Sequence, residues 1–152
     1  MSIRYRVEVL HGVNLDQLGK RDPAHYGGLD LPGLERLIEG YGDELNLAIS
    51  FFQSNHEGAY VERLHRLGGA FDGALLNPGA WTHYAWSLHD ALEVAGVPAV
   101  EVHLSDLAAR EPWRRQSVIA PLCIETISGR GVEGYRDGLA ALRQALETQA
   151  GG

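Results

Sequence analysis

Two short stretches of the sequence pair side chains that can move protons. The segment Gly19-Lys20-Arg21-Asp22-Pro23-Ala24-His25-Tyr26-Gly27-Gly28 places an arginine close to a tyrosine. A phenol holds its proton at neutral pH, but a guanidinium beside it favours the phenolate, and such a pair can take a proton from carbon. The segment Glu101-Val102-His103 sets a carboxylate and an imidazole on either side of one apolar residue. On a strand the two point the same way. The carboxylate then fixes the imidazole tautomer and favours the protonated, proton-donating form. Arg110, Arg114 and Arg115 follow. Arg110 and Arg114 share a face if that segment is helical, and a local positive pocket in an acidic chain suits a small carboxylate or phosphate. Each group has a plainer alternative: a surface tyrosine near an arginine, a satisfied core histidine, a solvated basic face. His56, His83 and His103 are dispersed without HxH or HExxH spacing, and neither GxxxxGKS/T nor GxGxxG occurs, so metal and nucleotide signatures are missing.

These groups need a scaffold that brings them together. Val7–Leu10, Leu47–Phe52, Gly73–Leu76 and Val97–Val102 are short apolar runs that read as strands, with Cys123–Ile127 as a less regular fifth. Helical spacing lies between them. Leu31, Leu34, Leu37 and Ile38 form one stripe, and Tyr60, Val61, Leu64 and Leu67 a second. Trp81 to Ala95 reads as a third helix, with Leu88, Leu92 and Ala95 on one face; Leu139, Leu142 and Leu146, backed by Ala141 and Ala145, mark a fourth. Strands alternating with helices imply βαβ units and a three-layer α/β sandwich around a parallel sheet. Ligands in such sheets sit at the carboxyl ends of the strands. There the chain turns polar each time, at His11-Gly12-Val13-Asn14, Gln53-Ser54-Asn55-His56-Glu57-Gly58, Asn77-Pro78-Gly79 and His103-Leu104-Ser105. Turn-forming residues are common in any loop, but four polar loops with histidines at or near three of them make a site. The connection Gly19–Gly28 is too long for a minimal βα turn and reads as a lid.

Composition narrows the class. The 152 residues, 45% hydrophobic and 22% charged, fit one globular domain spanning 1–152. Lys+Arg 13 against Asp+Glu 20 gives a formal charge of -7, which argues against a nucleic-acid or anionic-membrane partner. The single cysteine, Cys123, cannot form an intrachain disulfide. Charges at Arg4, Arg6 and Glu8 within Met1–Leu10 argue against a signal peptide, and no run approaches the roughly 18 apolar residues of a membrane span. A soluble cytoplasmic domain is expected, with Gly151-Gly152 as a loose tail.

Taken together, the motifs resemble those of the type II 3-dehydroquinate dehydratases. The likeness runs from about Val7 to Leu146. It rests on Asn14-Leu15 through Leu18-Gly19 with Arg21, Pro23 and Tyr26-Gly27; on Gln53-Ser54-Asn55-His56-Glu57-Gly58; and on Asn77-Pro78-Gly79-Ala80 with Thr82-His83. Leu92 after Asp90-Ala91, Glu101-Val102-His103-Leu104-Ser105, Ala109-Arg110-Glu111, and Gly131 with Gly134-Tyr135 continue it. The resemblance implies a flavodoxin-like fold with a five-stranded parallel sheet and a homo-dodecamer built as four trimers. It further implies cofactor-free, metal-free anti elimination of water from 3-dehydroquinate to 3-dehydroshikimate through an enolate, serving aromatic biosynthesis or quinate breakdown. Tyr26 is then the base for the C2 proton, with Arg21 favouring its phenolate, and Asn14 holds a water on the enolate. His103, oriented by Glu101, protonates the departing C1 hydroxyl. Leu104 and Ser105 bind the carboxylate; Asn77, His83 and Arg114 bind ring hydroxyls or carboxylate neighbours; Arg110 matches a second lid arginine; and Asp90 reaches an adjacent subunit's site.

Several positions depart from the family pattern. His11-Gly12-Val13-Asn14 stands where Asn-Gly-Pro-Asn is usual, and Phe52 and His89 replace arginines. Asp106, Ala108 and Arg130 replace asparagine, histidine and leucine. None removes a proton-transfer group. They motivate one alternative, a homologue that binds a shikimate-type hydroxy acid with little turnover. A non-catalytic module acting through protein contacts is the further alternative, and the intact Tyr26/Arg21 and Glu101/His103 pairs count against it.

Overall fold

A parallel sheet covered on both faces favours apolar runs over strict alternation in its strands. The structure, a computed structural model that describes residues 3–151, contains five strands: β1 (Tyr5–His11), β2 (Leu47–Gln53), β3 (Gly73–Asn77), β4 (Ala99–His103) and β5 (Thr126–Ser128), of which β3 and β4 are buried throughout. All neighbours are parallel, in the order β2-β1-β3-β4-β5, which is the flavodoxin-like arrangement. The helices are α1 (Pro23–Tyr26), α2 (Leu31–Glu44), α3 (Glu57–His65), α4 (Trp86–Ala95) and α5 (Glu133–Gly151). Alternation along the strands divides the core in two. Val7, Val9, Leu75, Val100 and Val102 cluster with Leu34 and Ile38 of α2 and with Leu139 and Leu142 of α5. Leu10, Ala74, Leu76 and Ala99 cluster with Tyr60 and Leu64 of α3 and with Leu88 and Leu92 of α4. Helix starts follow local chemistry: Asp30 accepts from Gly33 N at the head of α2, with Pro32 in the first turn. Among the described residues, no helix is long and apolar enough to cross a membrane.

The structure departs from the sequence expectations in identifiable places. Trp81–Ala95 is not one helix but a 3-10 turn, Gly79–His83, followed by α4. Val118 N donates to Thr82 O at 2.7 Å, so the carbonyl that Trp86 N would need is taken, and Trp86 N turns to Tyr84 O. Val97 and Pro98 precede β4, because proline has no N–H for the ladder, although Pro98 O still accepts from Ala74 N. The fifth strand starts at Thr126 rather than Cys123, which closes the turn Ala120–Leu122. Arg110 and Arg114 do not share a helix: Leu107–Ala109 and Pro112–Arg115 are separate 3-10 turns, with Arg110 extended between them. Leu37 points outward at 40% exposure, leaving Leu34 and Ile38 to carry its stripe. Gly151 closes α5 rather than forming a tail; Met1, Ser2 and Gly152 lie outside the described residues.

One buried charge anchors α3 to the sheet. Glu8 points from β1 into the α3/α4 side with no exposed surface. Arg63 of α3 reaches it through both Nε and Nη2, at 2.5 and 2.6 Å, and lies over the Phe52 ring at 5.2 Å. A buried carboxylate stripped of its partner is far costlier than a lost surface pair. Arg63→Ala is therefore expected to cost about 3 kcal/mol, the low end for a buried pair because Arg63 is 32% exposed. Replacing both residues by leucine is expected to restore most of that loss. Urea unfolding measures both variants, and a single-variant loss below about 1 kcal/mol would show that Glu8 does not depend on Arg63.

Candidate active site

Each strand end contributes a loop, and the loops after β1 and β3 meet backbone to backbone. Gly12 N donates to Asn77 O at 2.8 Å. A Cβ on Gly12 would stand 2.2 Å from Pro78 O, and one on Gly79, whose φ is +66°, 2.6 Å from Val13 O. No other residue fits at either place. Asn14 follows with φ 67°, a left-handed conformation that asparagine tolerates better than most. The loop after β2 holds it there. Asn14 N donates to Asn55 Oδ1 at 2.8 Å, Gln53 Nε2 braces both Asn55 and Gly12 O, and Asn55 Nδ2 donates to Asp16.

The segment read as a lid is largely ordered by its own turns. Asp22 accepts from Ala24 N, Pro23 opens α1, and Gly27 closes it with φ 77°. This single turn presents Tyr26. Its phenol oxygen accepts from Arg21 Nη2 and Arg110 Nη1, each at 2.6 Å, and the Arg21 guanidinium lies 4.3 Å from the ring centroid. Two cationic donors on one oxygen are an arrangement that favours negative charge there. Tyr135 is the contrast. Fully buried, it is pushed up to about 12 by desolvation and stays a neutral phenol, accepting from Asn77 Nδ2 at 3.0 Å.

Across the pocket, Glu101 and His103 point to the same side of β4, as the alternation requires, with His103 Nε2 at 2.6 Å from Glu101 Oε2. Thr82 donates to the same oxygen, and Ser117 donates to Oε1 at 2.7 Å. Burial pushes the Glu101 carboxyl up, but the hydrogen bond and charge of His103 and the hydroxyls of Thr82 and Ser117 outweigh it and hold the group below its usual range. His83 is pushed below the usual imidazole range, chiefly by burial, with the charges of His103 and Arg114 acting the same way and the Gln116 carbonyl opposing them. Its Nδ1 donates to Gln116 O at 2.7 Å, so the neutral ring keeps Nε2 as an acceptor. Trp113 packs edge-on against that ring, 5.3 Å between centroids.

One pocket brings together ten of the residues singled out by sequence: Asn14, Arg21, Tyr26, Asn77, His83, His103, Leu104, Ser105, Arg110 and Arg114. Among the described residues no carboxylate lines it; three guanidinium groups face the space, with Arg114 paired to Glu111 at 2.9 Å outside the lining. Glu101 stands behind His103 rather than in the pocket. Asp90 is exposed on α4, bonded to His89, and is not among the lining residues. Arg115 is exposed and is not among the lining residues. The departures from the family pattern also fall outside the reacting groups, apart from Val13, which lines the pocket. His11 is buried against Phe51 and paired with Glu35 at 3.0 Å; Asp106 caps the next turn through Ala108 N; Arg130 pairs with Asp137. Sequence reasoning gave no site role to Leu15, Leu18 and Leu107, which form an apolar wall, nor to the hydroxyls of buried Thr82 and half-buried Ser117. A hydroxyl in a loop carries no periodic signal, so neither residue could be found by spacing.

Known proteins share this arrangement of sequence and fold. A family model described as Dehydroquinase class II matches residues 5–143. The 3-dehydroquinate dehydratase of Thermotoga petrophila is 47% identical over 142 residues, covering 93% of this chain and 97% of that protein. Among solved structures, the type II dehydroquinase from Propionibacterium acnes superposes with a TM-score of 0.88 at 34% identity, covering 95% of this chain and 99% of that one. The type II dehydroquinase from Butyrivibrio crossotus gives 0.87 at 35%, covering 91% and 97%.

Glu101 and His83 both contribute to the acid stability of the fold. Both have a folded-state pKa below the ordinary value, so each favours the folded chain above that value and loses its contribution as pH falls through the folded one. Thermal unfolding is expected to be flat near neutrality, to weaken below the ordinary imidazole value of 6.5, and to weaken further below the ordinary carboxyl value of 4.5. A melting temperature that rises from pH 7 to pH 4 would contradict the assignment.

Proposed function

The chain belongs to the class II dehydroquinase family, and from that premise we propose that it is a type II 3-dehydroquinate dehydratase in which Tyr26 and His103 carry the two proton transfers. The observation that carries this reading is the placement of a phenol between two guanidinium groups opposite a carboxylate-bound imidazole in one pocket. Tyr26, as phenolate, takes the proton from C2 of 3-dehydroquinate. The electron pair moves onto the C3 carbonyl oxygen as an enolate, which a water held at Asn14 stabilises. Collapse of the enolate forms the C1–C2 double bond and expels the C1 hydroxyl, which leaves as water with the proton donated by His103. Return of a proton from the Tyr26 phenol through solvent to His103 resets both groups.

The remaining groups fix the substrate. Leu104 and Ser105 bind its carboxylate, and Asn77 and Arg114 bind ring hydroxyls or neighbouring carboxylate oxygen. His83, whose Nε2 can only accept while the ring is neutral, receives a hydroxyl proton. Arg110 was grouped by sequence with substrate binding, but its contact with the phenol oxygen supports a role shared with Arg21. No step in this scheme calls for a metal or an organic cofactor. The same dehydration serves aromatic biosynthesis and quinate breakdown, and we place the enzyme in the cytoplasm.

The exposed position of Asp90 supports a shared site. It completes a neighbour's pocket, and the assembly is a trimer at minimum, with the dodecamer of four trimers as the favoured state. Tyr84, Trp86 and Val94, all more than half exposed on or beside α4, supply apolar surface for that contact.

Mixing the purified protein with 3-dehydroquinate is expected to produce the ultraviolet band of the conjugated enone. Tyr26→Phe is expected to remove it while leaving ligand binding within a few-fold, since the ring stays and the base goes. A Tyr26→Phe variant near the wild-type rate would sink the assignment, and tight binding by the wild type without the band would favour the non-turning-over homologue. Light scattering at assay concentration is expected to give a trimer or a multiple of it. A fully active monomer would refute the role of Asp90.

A further inference from the structure

Glu101 is the most heavily bonded side chain of the site, and most of its partners lie outside the family motif that contains it. Its Oε2 receives His103 and Thr82; its Oε1 receives Ser117 at 2.7 Å and, more distantly, Thr126 at 3.4 Å. An ionised carboxylate offers about four acceptor positions, so every one is taken. Thr82 and Ser117 have one hydroxyl proton each. Their oxygens are 3.1 Å apart, yet both protons are committed to the carboxylate, and the Ala120 amide donates to the Ser117 oxygen from behind. The segment carrying Ser117 is clasped to the turn carrying Thr82: Val118 N donates to Thr82 O, and Gln116 O receives His83 Nδ1.

We propose that Ser117 and Thr82 are positioning residues for the dehydration, holding Glu101 as a fixed anion so that His103 always offers the pocket the same ring nitrogen, Nδ1. The proposal rests on the reading of His103 as the proton donor. A carboxylate with all acceptor positions filled by donors has no room for a proton, so Glu101 orients His103 and compensates its charge without itself relaying the proton. Both hydroxyls are neutral. A lysine or arginine in their place would cancel the negative charge that supports the imidazolium. Because Ser117 shares its segment with Arg114 and with the carbonyl that sets the His83 tautomer, one strap aligns the proton donor and two substrate-binding groups together.

The titratable groups coupled to Glu101 are His103 on its own strand, His83 on the 79–83 turn, Cys123 beyond Ser117 and Tyr60 from α3. Burial pushes Cys123 up to about 12 and Tyr60 well above its ordinary value, so neither changes charge in the working range. Removing one hydroxyl leaves the carboxylate a better base, so its protonation moves to higher pH.

The test compares the wild type with Ser117→Ala, Ser117→Thr and Thr82→Val. For Ser117→Ala and Thr82→Val, kcat is expected to fall about 10- to 100-fold, the worth of one hydrogen bond to a charged group. KM should stay within a few-fold, the acid limb of the kcat profile should move to higher pH, and Ser117→Thr should restore both. In parallel, the downfield proton resonance of the His103 Nε2–H is expected to move in Ser117→Ala and Thr82→Val and to return in Ser117→Thr. An unchanged acid limb and an unchanged resonance in both variants would overturn the proposal. If the wild type does not dehydrate 3-dehydroquinate, the functional reading fails, and the resonance alone decides whether the hydroxyls position His103. Should Ser117→Ala fail to fold, Thr82→Val, acting on the other oxygen, gives the same comparison.

Discussion

The architecture of the site turns on one buried negative charge. An ionised carboxylate inside a protein is tolerated only when its oxygens are met by donors. Glu101 meets that requirement by drawing on four separate segments: its own strand, the turn after β3, the strap before β5 and β5 itself. Each donor ties its segment to the carboxyl edge of the sheet. The chain contains a second buried carboxylate, Glu8, and the comparison is instructive. Glu8 is neutralised by the Arg63 guanidinium, which suits a structural pair. Glu101 is met by hydroxyls and an imidazole, so its charge is satisfied by hydrogen bonds but not cancelled by a fixed cation. A charge held in that way remains available to the imidazole beside it.

The opposite wall of the pocket applies the complementary logic. There the fixed charges are positive, supplied by Arg21 and Arg110 on the Tyr26 oxygen, with Arg114 nearby. Hydrogen-bond donors already in place cost no reorganisation when negative charge develops. Between the walls, close backbone approach at Gly12 and Gly79 leaves no slack in the loops that carry Asn14 and Asn77. Tyr26 is held on its turn by Arg21 and Arg110, His103 stands on β4 itself, and the glycines fix the floor between them.

Much of this was legible in the sequence. Apolar runs without alternation identify buried parallel strands, and β3 and β4 are indeed buried throughout. The two-residue spacing of Glu101 and His103 placed them on one face before any coordinates. The failures occur where a distant backbone group or a proline interrupts a local pattern. Trp81–Ala95 has helical spacing along its length, but a hydrogen bond from Val118 breaks it at Thr82. Arg110 and Arg114 have helical spacing too, yet Pro112 divides their segment, and they converge on the pocket from separate turns. Thr82 and Ser117 were invisible as a pair because nothing in the order of the chain sets a turn after one strand beside a strap after another.

The partners of Tyr26 also say something about the order in which the site comes into being. Arg21 lies 5 residues away and Arg110 lies 84 residues away. The first contact needs only the short turn of α1 and its flanks, and so can form as early as any local structure. The second needs β4 to have joined β3 and the chain beyond it to have doubled back over the pocket, which is a late event for contacts of such separation. A nascent or partly folded chain can thus hold its tyrosine against one arginine but not two. The doubly held tyrosine that the proposed dehydration calls for is therefore complete only once the sheet has closed.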